Sequence, residues 1–514
     1  MTENMKERGR RAALAGMLLL TAALLGGCMM GIEERPMADL TDIPIAEGPQ
    51  APQEDDWAAY EETVTLYFLG GDGTTLVPVT RRVTVEGGMS RAEAALCALL
   101  DGPYTGEAEG YGVQWPDMGQ PNAVRRLEVS GGVATVDLPA RVRELGPQEL
   151  FAVRQAVTNT LTEFAEISYV NVLVGGREEG FDLGATASVG TMTRADDPDT
   201  AAKYARLEEQ RQSGARVTRL ATLYFPSADG RFILPEVRSI DLAAGTAIDS
   251  LYTLLGELSR GTDMALAAQA FPAPMSYIEE MPEIVWTQDG AYRAIEIRFS
   301  ATLDEALGEA GLTRAIYAAM LTDTLMGFIP GVEGLQIIIG EEHVTLFSAE
   351  ETPDGQEIAL ESALATRGDF ASYLGAPCVF YAQGEDGQRL RRLTRAIAQS
   401  GQDGPRERLT GLMRLSQEED IFALPRELTA EDVLAVCTGE EEILVNLSER
   451  FMQALAALDA QQERVAVYAM VNTLTEGCRA QVVRLYFEGA QHGTLAGGLE
   501  LRGALMRNPG MVEE

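Results

Sequence analysis

Catalysis at neutral pH draws most often on histidine, on lysine, or on a cysteine beside a base, and this 514-residue chain is poor in all of them. The only histidines, His343 and His492, fall just past a strand and in the C-terminal tail, where both read as surface residues. Lysine occurs only at Lys6 and Lys203, neither in a Gly-rich loop, which excludes a Walker-type phosphate cradle and nucleotide hydrolysis with it. Gly70-Gly71-Asp72-Gly73 has the glycines of a dinucleotide loop but lies between two strands and opens no helix, so it reads as a turn. Cys97, Cys378, Cys437 and Cys478 form no C-x-x-C pair and have no ligand spacing to either histidine, which argues against structural zinc. Cys437 and Cys478 fall in one segment and either pair after export or stand as buried thiols. Carboxylates are abundant, yet no spacing singles out an acid and base pair. Asp196, Asp197 and Asp199 do not follow the spacing of a calcium loop, and with Pro198 they read as a solvated linker. No catalytic residue, cofactor or metal is expected.

One cysteine does invite chemistry. Lys6, Arg8, Arg10 and Arg11 precede an apolar run from Ala12 to Leu25 and then Gly26-Gly27-Cys28, the order of a secretory signal. The run is shorter than the roughly 20 residues that span a bilayer. Leu25-Gly26-Gly27-Cys28 resembles a bacterial lipobox, which implies cleavage after residue 27, acylation of Cys28 and attachment to the outer face of the cell membrane. Two acyl chains hold a protein stably where one is marginal. The surface gives no help: the formal net charge is −37, and removing 1–27 takes away more basic than acidic groups. So acidic a body is repelled by anionic lipid and by nucleic acid, and nucleic-acid binding is set aside.

The elements that position the remaining polar residues are found by looking for a repeat. Leu66-Tyr67-Phe68, Asp72-Gly73, Leu76-Val77-Pro78 and Arg81 recur as Leu223-Tyr224-Phe225, Asp229-Gly230, Ile233-Leu234-Pro235 and Arg238. A third, weaker copy runs Val379-Phe380-Tyr381, Asp386-Gly387, Leu390 and Arg395, in the same register from the tyrosine. Alternating β-formers around Asp-Gly predict a hairpin, because Gly supplies the positive φ of a tight return. A helix follows each time, over Arg91 to Leu100, Ala247 to Leu258 and Arg406 to Leu415, the first opening on a Ser90/Glu93 capping box. Next come a strand pair, a longer helix and a closing strand at Val170 to Val174, Leu335 to Ile339 and Val483 to Phe487. The long helices end alike, in Asn159-Thr160-Leu161-Thr162-Glu163, Asp323-Thr324-Leu325 and Asn472-Thr473-Leu474-Thr475-Glu476.

The expected architecture is therefore α+β, three tandem ββαββαβ two-layer sandwiches with the helices on one face. Its boundaries are a signal peptide 1–27, a solvated acidic tether 28–62, domains at 63–180, 217–345 and 376–490, linkers 181–216 and 346–375, and a tail 491–514. The first linker carries a predicted charged helix, Thr200 to Gln212, capped by Asp199. The recurring Tyr67, Tyr224 and Tyr381, Asp72, Asp229 and Asp386, Arg81, Arg238 and Arg395, and Asn159, Asp323 and Asn472 are expected to serve folding as sheet positions, turn formers, ion pairs and helix-end hydrogen bonds.

The first copy, 61–180, with its Leu-Tyr-Phe, Asp-Gly, Leu-Val-Pro, Leu99-Leu100-Asp101-Gly102-Pro103, Val133-Ala134-Thr135-Val136-Asp137 and Asn159-Thr160-Leu161-Thr162, resembles the GerMN domain family of sporulation and germination lipoproteins. The other copies depart from it: no proline follows Gly261, Asp323 replaces asparagine, and the third copy inserts acidic residues around Ser416 to Asp420. The resemblance implies a fold similar to the ring-building domains of secretion-type complexes. It also implies an extracytoplasmic lipoprotein of a spore-forming Gram-positive bacterium, with other envelope proteins as partners and oligomers possible. Its work would be complex assembly or support; the alternative is a solute- or peptidoglycan-binding lipoprotein, which calls for a concave pocket between domains.

Overall fold

The computed structural model describes residues 49–118, 126–181, 187–243, 246–287, 290–399, 404–439, 441–495 and 497–513. Cys28, the expected signal peptide and most of the expected tether lie outside them. Chain contacts separate Met1–Gln50 from Ala51–Glu514. No helix among the described residues is long and apolar enough to cross a membrane.

Ala51–Glu514 is a mixed α+β body of several small sheets and helices. After β1 (Asp56–Trp57), the chain builds β2 (Tyr60–Gly70), β3 (Leu76–Val85), α1 (Arg91–Leu100), β4 (Arg126–Ser130), β5 (Val133–Leu138), α2 (Pro147–Leu161) and β6 (Tyr169–Val174). Helix α3 (Thr200–Ser213) leads to β7 (Arg216–Pro226), β8 (Ile233–Ala243), α4 (Ala247–Ser259), β9 (Glu283–Trp286), β10 (Arg293–Phe299), α5 (Arg314–Met326) and β11 (Gly334–Ile339). The last round is β12 (Gly375–Gln383), β13 (Leu390–Ala398), α6 (Pro405–Glu418), β14 (Val433–Thr438), β15 (Glu442–Leu447), α7 (Ala460–Thr475) and β16 (Val482–Phe487), with short elements interposed in every round.

Hairpin register follows from the turns. Tyr67 faces Pro78, Tyr224 faces Pro235 and Tyr381 faces Arg392. At the returns Asp72 accepts from the N–H groups of Thr74 and Thr75 at 2.9 and 2.8 Å, Asp229 from Arg231 at 3.3 Å, and Asp386 from Gln388 and Arg389 at 2.8 and 2.9 Å. The following Gly73, Gly230 and Gly387 sit at φ 75, 68 and 68, a region that a β-carbon disfavours.

The three remaining strands of each round form a ladder of their own, antiparallel and then parallel, so the expected single sheet layer is split in two. The long helix bridges the halves. In α2 every residue from Leu150 to Leu161 is buried, and in α5 every residue from Ala315 to Met326, because both helices pack on the hairpin and on the closing strand. Each round has its own apolar core. Phe68, Phe225 and Phe380 are 0 % exposed in these cores, and each is worth roughly 1.5–3 kcal/mol over an exposed ring.

The segments read from sequence as tether, linkers and tail keep many exposed side chains, among them Asp196, Asp197 and Asp199, but are tied to the rounds where they are described. β1 pairs in parallel with β14 of the last round, and Asp55 accepts from Val436 N–H at 2.8 Å while pairing with Arg406 at 2.5 Å. In the first linker Met192 bridges to Val170, and Lys203 of α3 donates to Gln155 of α2 at 2.6 Å. Asp199 caps α3 by accepting from Ala201 and Ala202 N–H, as expected. In the second linker Phe347, Phe370 and Tyr373 stack edge-on in the core of the middle round. In the tail, Leu505–Met506 adds to β16. Such segments carry isolated apolar anchors without periodicity, so pattern reading passes over them.

Gly190 shows how close the first linker lies. It sits at φ 73, and a Cβ there would stand 2.4 Å from Leu220 O and 3.0 Å from the Phe328 ring. Gly190→Ala is therefore expected to destabilise the chain by at least about 1 kcal/mol, read as a lowered urea midpoint.

Candidate functional site

In the first two rounds the recurring arginine finishes the first helix. Arg81 donates to Ala98 O at 2.9 Å and Gly102 O at 3.0 Å, and Arg238 donates to Glu257 O at 3.0 Å and to Gly261 O. Ala98 O and Glu257 O are helix-end carbonyls, and Gly102 O and Gly261 O lie just past those ends, so each arginine ties the close of its helix to the hairpin. Arg81 and Arg238 also lie 5.2 and 5.0 Å from the rings of Phe68 and Phe225. Arg395 departs from this pattern: it pairs with Glu419 at 2.9 and 2.8 Å and lies 5.9 Å from the Phe422 ring. That glutamate comes from the stretch that reads in sequence as an acidic insertion.

The helix-end asparagines catch a distant backbone. Asn159 donates to Ala195 O at 3.0 Å and accepts from Ala195 N–H at 3.0 Å; Asn472 donates to Asn508 O at 3.3 Å and accepts from Asn508 N–H at 2.9 Å. Both spans are 36 residues. The residue just before each captured one is an arginine laid on the repeat tyrosine. Arg194 lies 5.4 Å from the Tyr67 ring and 2.6 Å from Glu163, and Tyr67 OH donates to Glu163 at 2.7 Å. Arg507 lies 5.6 Å from the Tyr381 ring and pairs with Glu476, to which Tyr381 OH donates at 2.9 Å. In two rounds, then, the chain leaving the last strand returns across the helix end and is locked by Tyr, Glu and Arg together. Sequence reading found the asparagines and tyrosines and saw Glu163 and Glu476 recur at the helix ends, but missed Arg194 and Arg507. Their equal offsets from Asn159 and Asn472 were the available signal.

Under each lock lies a shared hydrogen bond. The N–H groups of Tyr67, Tyr224 and Tyr381 donate to Oγ1 of Thr160, Thr324 and Thr473 at 3.0, 2.9 and 3.2 Å. Thr324 is fully buried, so Thr324→Val leaves an orphaned N–H and is expected to cost about 1–3 kcal/mol, measured by urea unfolding.

The middle round alters the lock and turns it into a junction. Asp323 stands where the other rounds have asparagine, and Gly327 stands where they have glutamate. Arg367 fills the arginine role, 5.7 Å from the Tyr224 ring, 2.8 Å from Asp323 and 3.0 Å from Glu128 of β4 in the first round. Arg126 pairs with the same Glu128 at 2.5 Å. Asn171 of β6 donates to Gly327 O at 3.1 Å, and a Cβ on Gly327 would meet Asp323 O at 2.8 Å. Neither Asp323 carboxylate oxygen accepts a well-aligned hydrogen bond. Burial therefore pushes Asp323 up to about 7, with Arg367 pulling it down and Glu128 adding to the rise. Nearby Glu178, whose N–H donates to Met326 O, is likewise pushed up to about 7 by burial, opposed by Arg154 at 3.6 Å and by the Val189 N–H.

Beside this junction opens a cleft of about 410 Å³ lined by Arg126, Arg143, Arg177 and Arg367 with Glu128, Asp137 and Glu333. The arginines are held by carboxylates, Arg143 and Arg177 by Glu179 and Arg177 by Glu333. A second cleft, about 670 Å³ and mostly apolar, lies between the first and last rounds against Trp57, Tyr60, Ile167 and Pro405. Neither holds a nucleophile beside a base. His343 is exposed at the end of a short strand, and the His492 ring lies 5.7 Å from Phe487. Among the described residues no group of three or more His, Cys, Asp and Glu is placed to hold a metal ion, Asp196, Asp197 and Asp199 included.

Residues 65–180 match the family described as Germane: Sporulation and spore germination. That segment is a Germane domain. It runs from within β2 to past β6 and holds Tyr67 and Glu163 of the first lock, while Arg194 of the lock comes from beyond it. Two solved structures are similar to the chain. The tandem GerMN domains of the sporulation protein GerM from Bacillus subtilis share 16 % identity over 60 % of this chain and 99 % of that one, with a TM-score of 0.22. The first GerMN domain of the same protein shares 20 % identity over 27 % of this chain and 97 % of that one, with a TM-score of 0.18. Comparison with curated proteins gives no match.

Proposed function

We propose that the chain is a non-catalytic envelope lipoprotein, anchored outside the cell membrane through acylated Cys28, that supports assembly of a protein complex in sporulation or germination. The observation that carries this reading is where the recurring polar residues go. Arginine, asparagine, tyrosine and glutamate are tied to one another or to backbone in the first and last rounds, Arg367, Asp323 and Tyr224 come together in the middle one, and neither cleft gathers a reactive set. A body stiffened in this way suits holding partners in place. The Germane domain at 65–180 supports the biological setting.

The reading is tested in a spore-forming host. A deletion strain is expected to show a sporulation or germination defect, rescued by the intact chain but not by Cys28→Ser, which would leave the membrane fraction. Normal sporulation and germination in the deletion strain would overturn it.

A second reading, a solute- or peptidoglycan-binding lipoprotein, is favoured by the apolar cleft between the first and last rounds. Sugars, peptides and muropeptides that raised the melting temperature would support it. A screen without any shift would remove it.

A further inference from the structure

In each round the first strand after α1, α4 or α6 lies at the edge of its three-stranded ladder, where its outer N–H and C=O groups are open to pairing. Two of these edges are covered. β14 is covered by β1, which adds in parallel with Asp56 opposite Cys437 and Trp57 opposite Thr438, and Ala58 N–H donates to Thr438 O at 3.0 Å. β4 is covered by the last round: Gln399 donates to Val129 O at 2.8 Å, and Ser130 donates to Gly375 O at 2.7 Å. The third edge, β9 in the middle round, pairs only with β10, and among the described residues nothing bonds its outer side. Its flank is apolar and exposed, with Trp286 at 66 % and Met281 at 62 %. Tryptophan and methionine are enriched at protein contacts relative to the rest of a protein surface.

We propose that β9 is a docking edge that takes an extended segment of a partner protein as an added strand, with Trp286 and Met281 covered by it and basic side chains of the partner over Glu279, Glu280 and Glu283. The homologous edge of the last round shows that this ladder accepts such a strand, since residues 55–57 occupy it there. Charge sets the composition of the guest. Glu279, Glu280 and Glu283 are all exposed, and the facing Arg298 is already paired with Glu296 at 2.8 Å and with Glu280 at 3.5 Å. A second copy of this chain would bring the same three glutamates and a formal charge of −37, so self-pairing is disfavoured. A strand alternating apolar residues with lysine or arginine fits. Main-chain bonds would give affinity and the acidic rim selectivity, as in strand addition generally.

The proposal deepens the scaffold reading by naming the chemistry of a partner, and it is tested separately from it. The full chain is mixed with a synthetic decapeptide alternating valine and lysine, and with the same peptide carrying proline at its centre, which keeps the charge but cannot continue a ladder. Backbone hydrogen exchange is read at residues 283–286, together with Trp286 emission. The first peptide is expected to slow exchange there several-fold and to shift Trp286 emission to the blue, while the proline peptide does neither. Trp286→Lys, a change at an exposed side chain, is expected to abolish the effect without altering the melting temperature. Equal protection by both peptides, which would mean adsorption by charge alone, overturns the proposal. So does the absence of protection, or protection that grows with protein concentration without peptide, which would mean a second copy on the edge. A deletion strain that sporulated normally would remove the scaffold reading and leave these exchange data standing.

Discussion

Replacing Arg367 by alanine is expected to cost about 3–5 kcal/mol, more than any other single change at the recurring positions. Arg367 faces Asp323, Glu128 and the Tyr224 ring at once, and its side chain is only 6 % exposed. Without it Asp323 has no cationic partner in van der Waals reach, although Glu128 keeps Arg126. Removing one member of a buried ion group is worse than removing the group, because the remaining charge cannot be hydrated. Arg367→Met with Asp323→Asn is therefore expected to recover most of what Arg367→Met alone loses at pH 8. Urea midpoints of the three variants check both statements. Equal midpoints for the wild type and Arg367→Ala would show that the junction does not hold the rounds together.

Stability should also fall as pH rises from about 4 to 7. The carboxyls of Asp323 and Glu178 are both pushed up to about 7 by burial, each opposed by its arginine. An unfolded chain ionises them near pH 4. The folded state thus binds more protons across that window, and the stabilisation that protonation brings is fully present below it and lost as pH climbs through 7. The size is on the order of 3 kcal/mol per group. At the acid end the trend reverses. Asp72, held at about 2 by the Thr75 hydroxyl and the Thr74 and Thr75 N–H groups, resists protonation until the pH falls through about 2. So does Asp432, which burial would raise but which Arg450, Ser448 and the Thr429 N–H bring down to about 2. Maximum stability is expected near pH 4–5. Asp323→Asn should flatten the decline between pH 5 and 8, and an unchanged slope would show that Asp323 is not the group that titrates.

Much of this body is legible in the sequence, for reasons that differ between elements. The hairpins could be read because Asp-Gly fixes a return and the flanking β-formers fix the register; Tyr67, Tyr224 and Tyr381 each meet a residue at the same offset across the ladder. Helix α1 could be read because Ser90 accepts from Glu93 N–H at 3.1 Å and apolar residues recur along one face. The locks could be read only in part. Asn159 and Asn472 recur visibly, but their partners are backbone groups 36 residues on, and a hydrogen bond to backbone leaves no mark on the captured residue's type. Arg367 was hidden for another reason: its contacts reach from the second linker to β4 of the first round, a distance in sequence that no local pattern spans. The covering of β14 by residues 55–57 was hidden likewise, because acidic residues near a terminus look solvated until Asp55 is seen accepting from Val436 N–H.

If linkers and tail are structural parts, the three rounds should unfold together and not as beads on a string. The chain supplies most of the probes, since it has only three tryptophans. Trp115 lies 5.7 Å from Phe68 in the first round, and Trp57 sits on β1 against the last. In the middle round Trp286 is too exposed to report well, but Phe271 packs 5.8 Å from Phe225 at the margin of the core, and Phe271→Trp with Trp286→Phe moves the probe there. Three single-tryptophan versions of the chain, unfolded in urea and followed by emission, give the most direct test. One shared midpoint is the predicted result; three separate midpoints would contradict it.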